Sequence, residues 1–188
     1  MNLMVSETLL QHTPAATHAD VAVDILSYAI GESALGRVLV ARSVDGVCAI
    51  LIGAEHDEVE ADLAARFPQA TLVANEVFVH DDMAKVIRFV DNPAAGLHLT
   101  LDMRGTPLHR RVWEKLRAIP VGRTLTYIEL ARWIGYPASA RVVAGACAAN
   151  PIALAIPCHR VVRTDGDLAG YRWGIERKRE LIRKEAMA

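Results

Sequence analysis

Cysteine is scarce in this chain of 188 residues and is never paired. Cys48, Cys147 and Cys158 stand alone, with no CxxC among them. That excludes a disulfide framework and a cysteine-rich zinc site, and it leaves each thiol as inert core or as a nucleophile. Long apolar runs are also missing. The longest, "GVCAILIG" and "PIALAIP", fall far short of a bilayer span, so no membrane role is expected. The opening "MNLMVSETLLQHTPAATHAD" has an early acidic residue and no basic region before an apolar block. It does not read as a signal peptide, and a cytoplasmic location is expected.

What is present supports a real core. Hydrophobic residues make up 52% and charged residues 23% of the chain, an ordinary balance for a soluble protein. The formal net charge of −1 hides an asymmetry. Residues 1–94 carry 14 Asp/Glu against 5 Lys/Arg, a balance of −9. Residues 95–188 carry 8 against 16, a balance of +8. A basic half of this kind suits a polyanionic partner.

Three regions are expected: a loose lead-in over 1–20, an α/β unit over 21–100, and a mostly helical unit over 101–188. "GRVLVARS" and "GVCAILIG" flank Val44-Asp45-Gly46, a strong hairpin signal. "DEVEADLAARFP" has helical spacing at Val59, Leu63 and Phe67 and ends at Pro68. "HDDMAKVIRFVDNP" repeats it through Met83, Val86, Ile87 and Val90, and "GLHLTLDM" alternates like a strand. Thr106-Pro107 reads as a cap followed by a first-turn proline, and Leu108, Val112, Trp113 and Leu116 form one face. Pro120 and Gly122 are expected to close that helix. Thr126 and Glu129 match a capping box for a short helix ending at Gly135. After the turn "YPA", Ser139 is placed to cap a second helix, "ARVVAGACAAN". The pair makes a helix-turn-helix candidate. Positions 140, 144, 145, 148 and 149 of the second helix are all Ala or Gly. It can approach a backbone closely but has almost nothing with which to read base edges in a major groove.

The stretch "NPIALAIPCHRVV" sets Cys158 beside His159 inside an apolar run. A thiolate is a soft, strong nucleophile and its formation needs a base nearby, a service an adjacent imidazole can perform through a water. Cys48 and Cys147 read instead as core.

At "IPCHRVV" the chain resembles the O6-methylguanine-DNA methyltransferase family, and within it the C-terminal half of Ada-type proteins. The resemblance runs from about Ser27 to Glu185. It is densest in "GTPLHRRVWEKLRAIPVGRTLTYIELA", "ARVVAGACAANPIALAIPCHRVV" and "GDLAGYRWGIERKRELIRKE". The zinc-binding module and regulatory helices of full-length Ada-type proteins have no counterpart, so a repair module alone is expected. The resemblance implies an α/β (α+β) fold: a ribonuclease H-like sheet-and-helix domain, then a helical domain with the helix-turn-helix. It implies stoichiometric transfer of an alkyl group from O6-alkylguanine, and by extension O4-alkylthymine, to Cys158. The product thioether is inert to water, so each molecule acts once. His159 is then the base and Glu185 the carboxylate that orients it. Asn150 braces the turn before the cysteine. Tyr127 pushes on the target phosphate and contacts the guanine ring. Arg141 fills the gap left by a base flipped out of the stack. Ala140, Ala144 and Gly145 lie against the minor groove of double-stranded DNA. Tyr127, Val161, Tyr171, Arg172 and Trp173 form the alkylguanine pocket. The carbonyls of Cys158 and Val161 accept from the guanine amine, and the N–H of Arg172 serves the pocket. "GYRWG" departs from members with serine and glycine there, and Trp173 with Arg172 is expected to narrow the pocket. The family's structural zinc finds no cysteine pair here. No metal, no cofactor and a monomer are expected. Two other readings stay open on the residues alone. One is a non-catalytic reader of alkylated bases, though those relatives lack the cysteine. The other is a thiol hydrolase, which would need neither Arg141 nor the helix-turn-helix.

Overall fold

The computed structural model describes residues 23–135 and 139–188. The lead-in over 1–20 and the turn "YPA" lie outside the described residues. The fold is α+β: a four-stranded sheet, a two-stranded one, and six α-helices among the described residues.

β1 (Ile25–Ser33), β2 (Gly36–Arg42) and β3 (Val47–Gly53) form an antiparallel meander. The expected turn at Val44-Asp45-Gly46 joins β2 to β3, with Gly46 at φ 146°. α1 (His56–Arg66) buries Val59 and Leu63. Phe67 is its C-cap, so the apolar stripe outlasts the helix by one residue. β4 (Thr71–Ala74) returns parallel to β1, giving the order β3-β2-β1-β4. At four largely exposed residues β4 is too short to announce itself by alternation. α2 (Glu76–Asp91) begins earlier than its apolar stripe suggests, because the Asn75 side chain caps it by accepting from the Phe78 N–H at 3.1 Å. Of the four residues assigned to its apolar face, Met83, Val86 and Val90 are buried and Ile87 is half-buried.

"GLHLTLDM" is a correction. The alternation is real, and Leu97, Leu99, Leu101 and Met103 all pack against the core. The segment joins no sheet and makes only an isolated bridge from Leu101 to Val47. Alternation reports one buried side; ladder hydrogen bonds need a neighbouring strand, and little of one is available here.

β3 is at the edge of the sheet, yet every residue in it is buried. Its edge is covered by the second half of the chain. Val47 N donates to Thr100 O at 2.9 Å, and Ile50 N donates to Pro151 O at 3.0 Å. Ala153 N donates back to Ile50 O at 3.0 Å. A covered edge cannot template aggregation. Here it also holds the segment that leads into Cys158.

α3 (Pro107–Arg117) starts as expected: the Thr106 hydroxyl accepts from His109 N at 3.2 Å, and Pro107 opens the first turn. Val112, Trp113 and Leu116 are buried, Leu108 half-buried. The helix ends at Arg117, before Pro120. Trp113 Nε1 donates to Ala146 O at 2.8 Å and so fixes α3 against α5. β5 (Leu125–Thr126) pairs in parallel with β6 (Val161–Val162). α4 (Tyr127–Ile134) has the full capping box: Thr126 N donates to Glu129 Oε2 at 2.7 Å and Glu129 N to Thr126 Oγ1 at 3.2 Å. It stops at Gly135, left-handed at φ 68°. α5 (Ala140–Ala148) begins after Ser139, which occupies the N-cap position without a side-chain capping bond. α6 (Ile175–Glu185) closes the chain and ties it to the first half. Arg177 Nε donates to Leu35 O at 2.6 Å and Lys184 Nζ to Val90 O at 2.9 Å.

Candidate active site

The site grows from a tight loop between α5 and a 3-10 turn, Cys158–Arg160. Asn150 is fully buried and makes every bond its amide can spare inward. Its Nδ2 donates to Ile156 O at 2.8 Å and lies 3.4 Å from Cys158 Sγ. Its Oδ1 accepts from Ile152 N at 2.9 Å. These bonds hold Leu154 at φ 67°, a region that costs a non-glycine residue roughly 1–3 kcal/mol. Leu154 stays there because its side chain is buried and the loop is closed on both sides. The expected bracing by Asn150 is therefore built into the loop, and one of the bracing donors also touches the thiol.

Behind the thiol stands a dry ionic cluster. α6 turns Lys178, Leu181 and Glu185 inward on one face. Glu185 Oε1 meets His159 Nε2 at 2.8 Å. Arg160 grips the same carboxylate with two N–H groups, Nε to Oε2 and Nη2 to Oε1, both 2.8 Å. Its Nη1 donates to Ile119 O at 2.5 Å. Gly122, at φ 74°, lets the chain pass close to the end of α6, since a Cβ there would meet Glu185 O at 2.9 Å.

The electrostatics follow from burial. Burial opposes charge on Glu185, but hydrogen bonds from His159 and Arg160 outweigh it and bring the carboxyl down to about 2. Burial pulls His159 below the usual imidazole range, with Glu185 working in the other direction, so the ring rests neutral. Its Nε2–H then points at Glu185 and leaves Nδ1 with a free lone pair. Burial pushes the Cys158 thiol up, partly offset by the Asn150 contact. At rest the site is thus a thiol and a neutral base, and the ionised carboxylate favours moving the proton from one to the other.

In front of the thiol opens a cavity of about 940 Å³. Of the residues expected there, Tyr127, Ala140, Arg141, Ala144, Cys158, Tyr171 and Arg172 all line it. Arg163 joins Arg141 and Arg172, and among the described residues Asp165 is the single carboxylate in the wall, so the mouth is cationic. Gly145 is exposed on α5 but outside the lining. Val161 is buried behind the wall, and its carbonyl accepts from Lys178 Nζ at 2.6 Å, which leaves one lone pair for another donor. Trp173 is a correction. Its indole is buried against the first half of the chain, in a neighbouring cleft with Ile52, Val59 and Arg177. Arg172, the residue before it, borders both the cavity and this cleft, and its guanidinium pairs with Asp62 of α1, on the cleft side, at 2.5 Å.

Three residues were missed from sequence. Cys147, read as core, is buried yet reaches the cavity wall. Arg160 was visible only as part of "IPCHRVV". Lys178 is fully buried and donates to the carbonyls of Val161 and Leu168. The seven-residue spacing of Lys178 and Glu185, two turns of α6, was the available signal. Among the described residues no group of three or more His, Cys, Asp or Glu is placed to hold a metal. No described helix is long and apolar enough to cross a membrane.

This is a buried thiol beside a neutral histidine hydrogen-bonded to an ionised carboxylate, with a cationic cavity in front. The family model described as "6-O-methylguanine DNA methyltransferase, DNA binding domain" matches residues 107–187. The chain is 33% identical over 172 residues to the methylated-DNA–protein-cysteine methyltransferase of Candida albicans, covering 86% of this chain and 97% of that one. It is 46% identical over 159 residues to the bifunctional transcriptional activator/DNA repair enzyme Ada of Escherichia coli, covering 85% of this chain and 45% of Ada. The chain thus spans less than half the length of that relative. The structure of Mycobacterium tuberculosis OGT in complex with DNA superposes with a TM-score of 0.68 at 29% identity, covering 86% of this chain and 93% of that one. The chain belongs to the methylated-DNA–protein-cysteine methyltransferase family.

Proposed function

We propose that this protein repairs DNA by moving the alkyl group of O6-alkylguanine, and by extension of O4-alkylthymine, onto Cys158, once per molecule and without a cofactor. The observation that carries the reading is Cys158 at the wall of the cationic cavity, with Asn150 on its sulfur and the His159–Glu185 pair behind it. The thiol proton passes to His159. The Sγ–C bond then forms as the O6–C bond breaks, and the guanine anion takes up a proton from water while His159 returns its own to solvent.

α4 and α5 act as the helix-turn-helix of a DNA-binding domain over 101–188, beside a ribonuclease H-like domain over 21–100. The small face of α5 supports a minor-groove approach. Ala140 and Ala144 line the cavity, and at Gly145 even a Cβ would meet nothing within 4 Å. Arg141 is exposed at the start of that helix and fills the duplex where the target base has left. Tyr127, Tyr171 and Arg172 hold the flipped base, with the free lone pair of Val161 O for its amine. The protein works as a cytoplasmic monomer on double-stranded DNA.

Intact-mass analysis after incubation with duplex containing O6-methylguanine tests this. The expected result is one methyl group on the peptide holding Cys158, never more than one guanine repaired per chain, and no gain in Cys158→Ser, which still binds the duplex. Methyl on Cys48 or Cys147, or repeated turnover, would refute it.

A further inference from the structure

Among the described residues, four buried side-chain polar atoms have no hydrogen-bond partner, and two of them, His159 Nδ1 and Tyr171 Oη, belong to neighbouring rings at the site. Their rings pack edge to face, with centroids 6.4 Å apart and planes at 80°. Tyr171 also lines the cavity that holds Cys158. A buried hydroxyl and a buried ring nitrogen are each costly to leave unpaired, and a water needs two to four such polar partners to stay in a protein interior.

We propose that Tyr171 is a positioning residue for proton transfer from Cys158 to His159, its hydroxyl donating to the water that links them. This rests on the reading of Cys158 as the alkyl acceptor. The hydrogen-bond arithmetic closes in both states. Before transfer the water accepts from the Cys158 S–H and the Tyr171 O–H, and it donates to the free lone pair of His159 Nδ1. The S–H bond then breaks, its proton joins the water, and a water proton joins Nδ1. Afterwards the water donates to the thiolate and accepts from Tyr171 O–H and from the new Nδ1–H. One water, one proton and no net charge are exchanged, and the tyrosine donates throughout. It can do so at any working pH, because burial, then the charges of Cys158 and Glu185, keep its hydroxyl protonated.

The other charged and titratable groups around this point have partners of their own. Arg160 is spent on Glu185 and Ile119 O, and Lys178 on the carbonyls of Val161 and Leu168. Arg177 of α6 donates to Leu35 O and Trp173 O. Cys147 and Tyr127, on the α5 and α4 sides of the cavity, are held protonated by burial, which pushes the thiol well above its usual range and the phenol up to about 12, and Arg163 lies at the cavity wall. None of them supplies the donor that a developing thiolate needs through the water.

The test is the pH dependence of Cys158 alkylation in the full chain, read with O6-methylguanine duplex at saturation and, without DNA, with iodoacetamide. Tyr171→Phe keeps the ring and removes the donor. Its rate–pH midpoint should rise by about one unit, a roughly tenfold loss at neutral pH, while duplex affinity changes less than about twofold. Replacing Tyr171 with 3-fluorotyrosine, of nearly the same size but a stronger donor, should lower the midpoint, and this arm stands even if the phenylalanine variant folds poorly. An unchanged midpoint in both variants overturns the proposal, as does a slower reaction that comes only with weaker duplex binding. If wild type gains no methyl on Cys158, the functional reading fails and this inference fails with it. If wild type reacts and the midpoints do not move, only this inference falls.

Discussion

Two carboxylate–guanidinium clusters, one tying the two halves of the chain together and one within the second half, are built to different ends. In the first, Arg104 spans Asp24 and Asp102, with Nη1 2.6 Å from Asp24 and Nε 2.7 Å from Asp102. Those side chains are 29%, 42% and 18% exposed. In the second, Arg160 and Glu185 are 6% and 2% exposed, and the carboxylate also holds His159. The first cluster is wet and serves as a tie between β1 and the segment before α3. The second is dry, and there a single carboxylate sets where a proton rests. The same chemical pair becomes a clamp or a reagent according to how much water surrounds it.

The sharpest test of that contrast is Glu185→Gln. Removing one partner from a dry pair leaves Arg160 without its counter-charge, at a cost of about 3–5 kcal/mol by denaturant unfolding. On the proposed function, transfer should slow by about 10²-fold or more in single-turnover assays, because His159 loses the carboxylate on its Nε2. The pH dependence should change too. The folded-state pKa of Glu185, about 2, lies below its ordinary 4.5. Its stabilisation is therefore complete above that ordinary value and lost as pH falls toward 2, a loss of about 3 kcal/mol. His159, held below its usual range, adds in the same direction as pH falls through that range. Wild type should lose stability steeply in acid, and the glutamine variant should show a flatter profile. A parallel profile would mean that the cluster is not what senses acid.

Trp173→Gly comes next. Deleting an indole this buried should cost about 3–5 kcal/mol. Because the side chain faces the other cleft, the ratio of O6-benzylguanine to O6-methylguanine reactivity should stay where it is. A rise in benzyl reactivity would show that the indole bears on the cavity after all. Arg141→Ala should leave stability alone and slow transfer from duplex about tenfold more than transfer from free O6-methylguanine base, since only the duplex must be held open. Equal slowing would assign the arginine to the pocket. The smallest effect belongs to the wet cluster: Arg104→Met should cost no more than about 1 kcal/mol in the same unfolding assay. A cost like that of Glu185→Gln would erase the distinction between the two.

Much of the fold was legible because the signals were short-range. Thr106 with Pro107, Thr126 with Glu129, Gly135 and the Asp45-Gly46 turn each act within four residues, and each sits where it was expected. Other elements failed for equally local reasons. Ser139 has the right identity and position for a cap and does not make the bond. β4 is too short for periodicity to show, and "GLHLTLDM" has the alternation of a strand without a partner along its length. At the site, adjacency placed His159 beside Cys158, whereas the tie to Glu185 followed from family resemblance and no spacing could have supplied it.

By itself, then, the sequence determined helix starts and stops, the hairpin, the small face of α5 and the cysteine–histidine step, since all depend on neighbours along the chain. Only the tertiary structure decided which surfaces meet. It brought Glu185 to His159 across 26 residues and Arg172 to Asp62 across 110. It laid Pro151 and Ala153 on Ile50, put Trp173 in the cleft beside the cavity, and dried one ionic cluster while leaving the other wet. The physical reason is that burial belongs to the packed whole: a side chain's surroundings, and with them its charge state and its use, are set by residues far away in sequence.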